Sequence, residues 1–167
     1  MIESLALVLF PILMAFAAFT DFFTMTIPNR VSIALVVIFA ALALYEHMPL
    51  GSTLSHVTCG LAMLAATFTM FHMGWIGGGD AKLASATALW LGWDQLLDYA
   101  LVASLVGGAL TLAILELRRR EPRALATSPR FAHLCDKTAG VPYGIALAIG
   151  GLMIYPQSPV WTLLTRA

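Results

Sequence analysis

Charged residues are scarce in this chain. Of its 167 residues only 11% are Asp, Glu, Lys or Arg, 60% are hydrophobic, and the mean hydropathy is +0.87. A soluble domain carries roughly a quarter charged residues. Too few polar side chains remain to cover a surface that faces water. The composition therefore excludes a soluble globular protein and indicates an integral membrane protein.

Cysteine is also rare, and recognisable cofactor motifs are missing. The two cysteines, Cys59 and Cys135, form no C-x-x-C pair, which excludes a four-cysteine zinc module. His56 and His72 lie near opposite ends of one apolar segment, too far apart to share a metal. We find no phosphate-cradling loop and no Ser–His or Ser–Lys arrangement. We therefore expect no metal, no cofactor and no nucleic-acid partner.

Long apolar segments take up most of the chain. A membrane helix needs about 20 apolar residues, and no alternating pattern is long enough for a barrel, so helices must satisfy the backbone in lipid. We predict an all-α polytopic membrane bundle of about six helices in a single domain, residues 1–167. The predicted spans are Ser4–Thr20, Val31–Tyr45, Ser52–His72, Ala81–Trp93, Gln95–Leu117 and Val141–Tyr155. The fourth is the weakest, because it is short and follows three glycines.

The basic residues predict the orientation. If the N-terminus faces outward, the inner segments are Asp21–Arg30, Gly74–Lys82 and Arg118–Gly140, which hold eight of the nine Lys and Arg residues. The positive-inside rule then places both termini outside the cytoplasm. The basic loop Arg118–Gly140 is interpreted as a topology determinant in contact with anionic lipid. A contact surface for a partner or substrate is the alternative.

Two aspartates lie at the inner edges of apolar segments, where an unpaired charge is costly. Asp21 ends the first segment, although a helix C-terminus disfavours negative charge. Asp80 follows Gly77–Gly79. Each has a structural alternative: Asp21 as a polar stop, and Asp80 as the N-cap of the fourth helix. The glycine run favours a functional Asp80, since close approach of a substrate backbone needs glycines and capping does not.

Paired aspartates can activate water against a peptide bond. Two carboxylates a few ångströms apart share one proton, because both cannot ionise readily. The ionised member takes a proton from the attacking water, and its protonated partner polarises the scissile carbonyl. We expect Asp80 to be the base, since a helix N-terminus favours its ionised form. Lys82 would act in the same direction if its ammonium lies near.

These residues together resemble the type IV prepilin peptidases, which are membrane aspartyl proteases of the G-x-G-D kind. The resemblance rests on three motifs: Asp21 with Ile27-Pro28-Asn29; Gly77, Gly79, Asp80 and Lys82; and Val141-Pro142-Tyr143-Gly144. It implies that Asp21 and Asp80 are catalytic. It also implies a group of residues that bind substrate or shape the site, namely Pro28, Asn29, Gly77, Gly78, Gly79, Lys82, Pro142, Tyr143 and Gly144. Pro142 has the alternative role of a proline near the first position of a helix.

The resemblance implies that a short basic leader is removed from a prepilin at the cytoplasmic face of a prokaryotic inner membrane. The implied partners are the prepilin, the lipid bilayer and the pilus assembly machinery. The sequence looks like the short form that processes Flp-type pilins, or like its archaeal relatives. Larger bifunctional members carry an N-terminal zinc-binding region associated with N-methylation. The first apolar segment begins almost at once here, so methyltransferase activity is not predicted.

Two other classes of function remain open from the residues. Carboxylates in a membrane also relay protons in ion-coupled transporters, which would place them near mid-bilayer on a continuous pathway. A catalytically silent subunit of a pilus or secretion platform is the second alternative. In that case Asp21→Asn and Asp80→Asn would leave pilin maturation intact.

Overall fold

The computed structural model describes residues 2–120, 131–136 and 139–166. Arg123, Arg130 and Lys137 of the basic loop lie outside these residues. The helices are α1 Ile2–Thr24, α2 Asn29–Tyr45, α3 Leu50–His72, α4 Gly78–Leu91, α5 Trp93–Arg120, α6 Ala132–Cys135, α7 Gly144–Ile154 and α8 Pro159–Arg166, with a 3₁₀ turn, Tyr155–Gln157, between α7 and α8. No strand occurs in these ranges. The predicted all-α membrane helix bundle is confirmed.

The helices differ in how well they could cross a membrane. Among the described residues, α1, α3 and α5 contain apolar stretches long enough to span a bilayer. Asn29–Tyr45 and Gly144–Gln157 are shorter apolar helices. The expected spans therefore appear as helices, with α1 and α5 running further than predicted, to Thr24 and Arg120.

Helix α4, which covers the weakest of the predicted spans, lies inside the bundle. It has 14 residues, and ten of the last eleven, from Ala81 to Leu91, are buried. It packs against α3, α2 and α7 and also contacts α5 and α8. The Trp90 indole is fully buried and donates to the Leu35 carbonyl at 2.9 Å. α4 is thus the central helix of the bundle, which explains why a short segment suffices.

Small residues allow the helices to pack closely around α4. A Cβ on Gly60 of α3 would lie 3.1 Å from the Leu89 Cβ, and one on Gly151 of α7 would lie 3.1 Å from the Thr87 Cγ2. Glycines at these positions therefore allow close helix approach. Gly108 differs, because a Cβ there would meet no atom within 4 Å.

The turns at one end of the bundle are sharply defined. α1 ends at Met25, which has a φ of 54° and donates its N–H to the Asp21 carbonyl at 2.9 Å. α3 ends in a Schellman motif: Gly74 has a φ of 75° and donates to Phe71, and Trp75 donates to Met70. Glycine is needed at position 74 because other residues rarely adopt this conformation.

The three segments predicted to face the cytoplasm meet at this end. Lys82 reaches Asn29, and His133 of the third segment contacts the Phe22 carbonyl of the first. Just beyond the third segment, Gly144 reaches Asp21, 123 positions away. Both cysteines are free, with Cys59 buried in α3 and Cys135 half-buried in α6.

Candidate active site

Asp21 lies in the last turn of α1 and does not end the helix, which continues to Thr24. Its side chain belongs to the protein interior, since the residue is only 5% exposed. The carboxylate Oδ2 accepts the backbone N–H of Gly144 at 2.7 Å. Gly144 is the first residue of α7, so a helix N-terminus faces the carboxylate, where negative charge is favoured. A buried acid bound in this way is not a simple polar stop.

Gly144 can make this contact only because it has no side chain. A Cβ would lie 2.8 Å from Asp21 Oδ2 and 2.7 Å from Ile27 Cδ1. Pro142, two residues earlier, is fully buried. Tyr143 is the N-cap of α7, so Pro142 lies near the first helical position, just outside the helix. Pro142 fixes the chain just before α7, because its ring restricts φ.

Asp80 is the third residue of α4, whose N-cap is Gly77. Its Oδ2 accepts the Gly77 N–H at 3.2 Å. The alternative of Asp80 as the N-cap itself is therefore wrong, although its side chain does satisfy one free backbone donor of the helix start. The contact requires a small residue at position 77, where a Cβ would lie 3.0 Å from Asp80 Oδ2.

The electrostatics of Asp80 link it to Asp21. Asp80 is half-buried and lies outside the candidate membrane spans. Burial, and then the negative charge of Asp21, raise the pKa of Asp80 from 3.8 to about 6, against the opposing hydrogen bond from Gly77. The expected preference of the α4 N-terminus for an ionised Asp80 is thus outweighed. The carboxylates are close enough for one charge to disfavour the other.

Ile27 packs between the start of α4, which carries Asp80, and the start of α7, which binds Asp21. A Cβ on Gly79 would lie 3.1 Å from the Ile27 Cβ, and Gly144 contacts the other end of the same side chain. Ile27 is only 9% exposed. Sequence reasoning noted the Ile27-Pro28-Asn29 turn but did not identify Ile27 itself as a site residue. The sequence feature that could have identified Ile27 is an apolar residue within a short polar turn.

Pro28, Asn29 and Lys82 form a separate group. Pro28 is the N-cap of α2, with φ −62° and ψ 135°. Lys82 Nζ donates to the Asn29 Oδ1 at 2.9 Å, and no ion pair joins Lys82 to Asp80. Asn29 and Lys82 line an apolar groove of about 870 Å³ between α2 and α3. The structure therefore does not support a role for Lys82 in keeping Asp80 ionised.

Asp80 lines a cavity of about 550 Å³. Its walls come from the chain around the glycine run, from α5 and from the segment before α7: Met70, Gly74, Trp75, Ile76, Gly77, Thr111, Gly140, Val141 and Tyr143. Gly77 borders this cavity. Gly78 points away, because a Cβ there would lie 3.3 Å from the Phe71 ring. Asp80 is therefore accessible from the cavity.

Tyr143 forms one wall of this cavity and packs directly on α5. A Cβ on Gly107 would overlap its ring. The Tyr143 hydroxyl donates to the Ala103 carbonyl at 3.4 Å, a long hydrogen bond. Ring packing against Gly107 therefore fixes Tyr143 more than its hydroxyl does.

The other candidate polar residues lie elsewhere. Asp94 and Asp98 are exposed at the start of α5, beyond the far end of α4 from Asp80. The His56 ring contacts the Leu89 carbonyl through Nδ1 at 2.8 Å. In the part of the chain that the structure describes, no three His, Cys, Asp or Glu side chains are grouped to hold a metal.

Fold and site together define an integral membrane helix bundle with two neighbouring carboxylates at one end. Residues 8–112 match the type IV leader peptidase family, and the chain belongs to that family. The matched residues include Asp21 and Asp80 but not the Pro142–Gly144 segment.

Curated relatives support the same relationship. The chain is 27% identical over 140 residues to the prepilin leader peptidase/N-methyltransferase of Aeromonas salmonicida strain A449, and equally similar to the protein of that name from Aeromonas salmonicida. The alignment covers 80% of this chain and only 42% of the relatives' length. No solved structure matches the chain significantly.

Proposed function

We propose that this protein is an aspartic endopeptidase that removes the leader peptide from type IV prepilins. The family and the relatives' names support the substrate class. The observation that carries the aspartic mechanism is the electrostatic interaction between Asp21 and Asp80, which belong to different helices and are 59 positions apart.

The proposed mechanism uses one proton held by the pair. Asp21, which accepts the Gly144 N–H, is proposed as the ionised member, and Asp80, whose pKa is raised to about 6, as the one that holds the shared proton. The ionised carboxylate accepts a proton from water as the water attacks the scissile carbonyl. The protonated carboxyl donates to the carbonyl oxygen and then helps protonate the leaving amine. This assignment reverses the expected one, in which Asp80 was the base.

The site-shaping residues have distinct roles in the proposal. The Gly77 backbone and Tyr143 border the cavity that would admit the substrate chain to Asp80. Gly79 and Gly144 allow Ile27 to pack closely against the starts of α4 and α7. Lys82 and Asn29 join α4 to α2 and are assigned no part in proton transfer.

We place the site at the cytoplasmic face of a prokaryotic inner membrane, with both termini on the opposite side. The meeting of the three basic segments at the aspartate end of the bundle supports this orientation. A positively charged leader would remain on that side. The similarity to the short Flp-processing form suggests Flp-type pilins as substrates and a pilus assembly machinery as a partner. Methyl transfer is not part of this proposal.

The decisive experiment co-expresses the protein with candidate Flp-type prepilins and follows loss of the leader by a mobility shift. Asp21→Asn and Asp80→Asn should each abolish processing, since either change removes half of the pair. Asp94→Asn and Asp98→Asn are matched controls at the other end of α4 and should process normally. Full processing by both Asp21→Asn and Asp80→Asn would contradict the mechanism and favour a silent assembly subunit.

Cysteine labelling tests the orientation. Trp75→Cys lies at the aspartate end and Asp94→Cys at the other, and both native residues are exposed. In a Cys59→Ser and Cys135→Ser background, an impermeant maleimide should label only Asp94→Cys in spheroplasts. Labelling of only Trp75→Cys would reverse the proposed orientation.

A further inference from the structure

We propose that Arg118 is a positioning residue, which fixes the segment before α7 so that the Gly144 amide meets Asp21. The catalytic part of this proposal rests on the proposed function. The structural part is that Arg118 holds the Leu134 and Gly140 carbonyls in place, and it can be tested without any substrate.

Arg118 is the one arginine of the α5 C-terminus that turns into the protein. It is only 7% exposed. Its Nε donates to the Leu134 carbonyl at 3.0 Å, and its Nη2 donates to the Gly140 carbonyl at 2.7 Å. Its neighbours, Arg119 and Arg120, have side chains that are 82% and 77% exposed and pair with Glu116.

The chemistry of the guanidinium suits this role. Its N–H groups point in fixed directions within one plane, so it can hold two carbonyls at a set separation. A lysine ammonium has the same charge but no such fixed geometry. The two carbonyls lie at opposite ends of the stretch from Leu134 to Gly140, and Arg118 therefore determines where that stretch leaves α6 and where it approaches α7.

A displacement at Gly140 would pass directly to the active site. Only three residues separate Gly140 from Gly144, and one of them is the buried Pro142. Gly140 and Val141 also line the cavity beside Asp80. Misplacement of a catalytic group by about 1 Å can lower a rate by roughly a hundredfold. The position of Gly140 therefore affects both the Asp21 hydrogen bond and the substrate cavity.

The same segment is attached to α1 beside Asp21. His133 Nε2 contacts the carbonyl of Phe22 at 2.9 Å. The Phe131 ring lies 6.1 Å from that of Phe22 and 6.2 Å from that of Phe23, between centroids. Arg118 thus connects α5 to a segment that already packs against the helical turn carrying Asp21.

This placement corrects the expectation for Arg118 within the loop Arg118–Gly140. A topology determinant in contact with lipid would be exposed, as Arg119 and Arg120 are. Nothing in the run of three arginines distinguishes the first from the others by residue type. The buried arginine is the one whose side chain leaves α5 on the side where Leu134 and Gly140 lie.

The test compares Arg118→Lys and Arg118→Gln with Arg119→Lys and Arg119→Gln in the prepilin cleavage assay. We expect both Arg118 variants to lower kcat at least about tenfold, because the geometry of the reacting groups is lost, with a smaller rise in KM from displacement of the cavity wall. Both Arg119 variants should remain within about twofold of wild type. Wild-type kcat in Arg118→Lys would overturn the proposal in favour of a charge role.

Hydrogen exchange in detergent provides the readout that needs no activity. In Arg118→Lys, peptides containing Gly144 should exchange at least about tenfold faster, while peptides from α3 and α4 should match wild type. Unchanged exchange at Gly144, or equal acceleration throughout the chain, would overturn the positioning role. Should Arg118→Gln fail to fold, Arg118→Lys decides the question. Activity in Asp21→Asn would contradict the proposed function and leave the exchange result valid.

Discussion

The Gly144 amide donates a 2.7 Å hydrogen bond to the Asp21 carboxylate across 123 residues of chain. It joins the last turn of α1 to the first residue of α7. A hydrogen bond to a charged group contributes about 1.5–3 kcal/mol. The contact therefore helps assemble the bundle and at the same time orients an acid that is proposed to be catalytic.

Gly144→Ala should strongly reduce prepilin cleavage. The added Cβ would lie 2.8 Å from Asp21 Oδ2 and 2.7 Å from Ile27 Cδ1, so both side chains must move. A loss of at least about tenfold in kcat is expected from misorientation of the carboxylate. Initial rates in detergent or proteoliposomes provide the measurement.

The double variant Gly144→Ala with Ile27→Val separates the two clashes. Valine lacks the Cδ1 atom, so only the conflict with Asp21 remains, and activity should recover in part. Ile27→Val alone serves as the control. Complete recovery would show that crowding of Ile27, not of Asp21, limits Gly144→Ala.

Gly107→Ala and Gly108→Ala should change stability in opposite directions. Alanine in a helix interior is favoured over glycine by about 0.5–1 kcal/mol. At position 108 nothing lies within 4 Å, so that gain remains. At position 107 the Cβ overlaps the Tyr143 ring, and overpacking costs about 1–3 kcal/mol. Thermal unfolding in detergent should give a lower Tm for Gly107→Ala only; equal Tm values would contradict the packing.

Asp80→Asn should stabilise the protein at neutral pH. Because the pKa of Asp80 is raised from 3.8 to about 6, the folded state holds the proton more tightly than the unfolded state. Stability is therefore lost as pH rises from about 4 to 6. The full effect is at most on the order of 3 kcal/mol. Asparagine cannot ionise, so the Tm advantage should be largest above pH 7 and vanish near pH 4.

An advantage for Asp80→Asn that is independent of pH would indicate an effect of packing and not of ionisation. Asp98→Asn, at an exposed position, is the control and should show no such pH-dependent difference in Tm.

Lys82→Ala should leave the pH dependence of cleavage unchanged. The Lys82 ammonium donates to Asn29 at 2.9 Å and makes no ion pair with Asp80. Asn29→Ala removes the same hydrogen bond and should match Lys82→Ala in rate. A pH profile that shifts in Lys82→Ala but not in Asn29→Ala would show that the lysine charge acts on the aspartates.

The sequence was sufficient for the class of fold because composition restricts the options in lipid. Few charges and long apolar runs leave helices as the means of satisfying the backbone. The positions of the helices followed closely, with the main errors at their ends. Asp21 was assigned to a helix end, whereas α1 continues one further turn to Thr24.

Local sequence did not reveal which helix is central or which arginine is buried. An apolar 14-residue segment is compatible with a lipid-facing or a protein-facing position, and α4 is buried because α2, α3 and α7 surround it. Arg118 likewise resembles Arg119 and Arg120 in sequence. They differ only in the folded protein, where Arg118 faces the Leu134 and Gly140 carbonyls and the other two face Glu116.

The sequence by itself determined that this is a membrane helix bundle carrying two costly acidic residues, because hydropathy and charge are properties of the residues alone. The tertiary structure decided that Asp21 receives the Gly144 amide, that Ile27 packs between Gly79 and Gly144, and that burial together with the Asp21 charge raises the pKa of Asp80 to about 6. These features depend on contacts between residues far apart in the chain. Such interactions need short distances between the groups, and only the folded chain brings these residues close together.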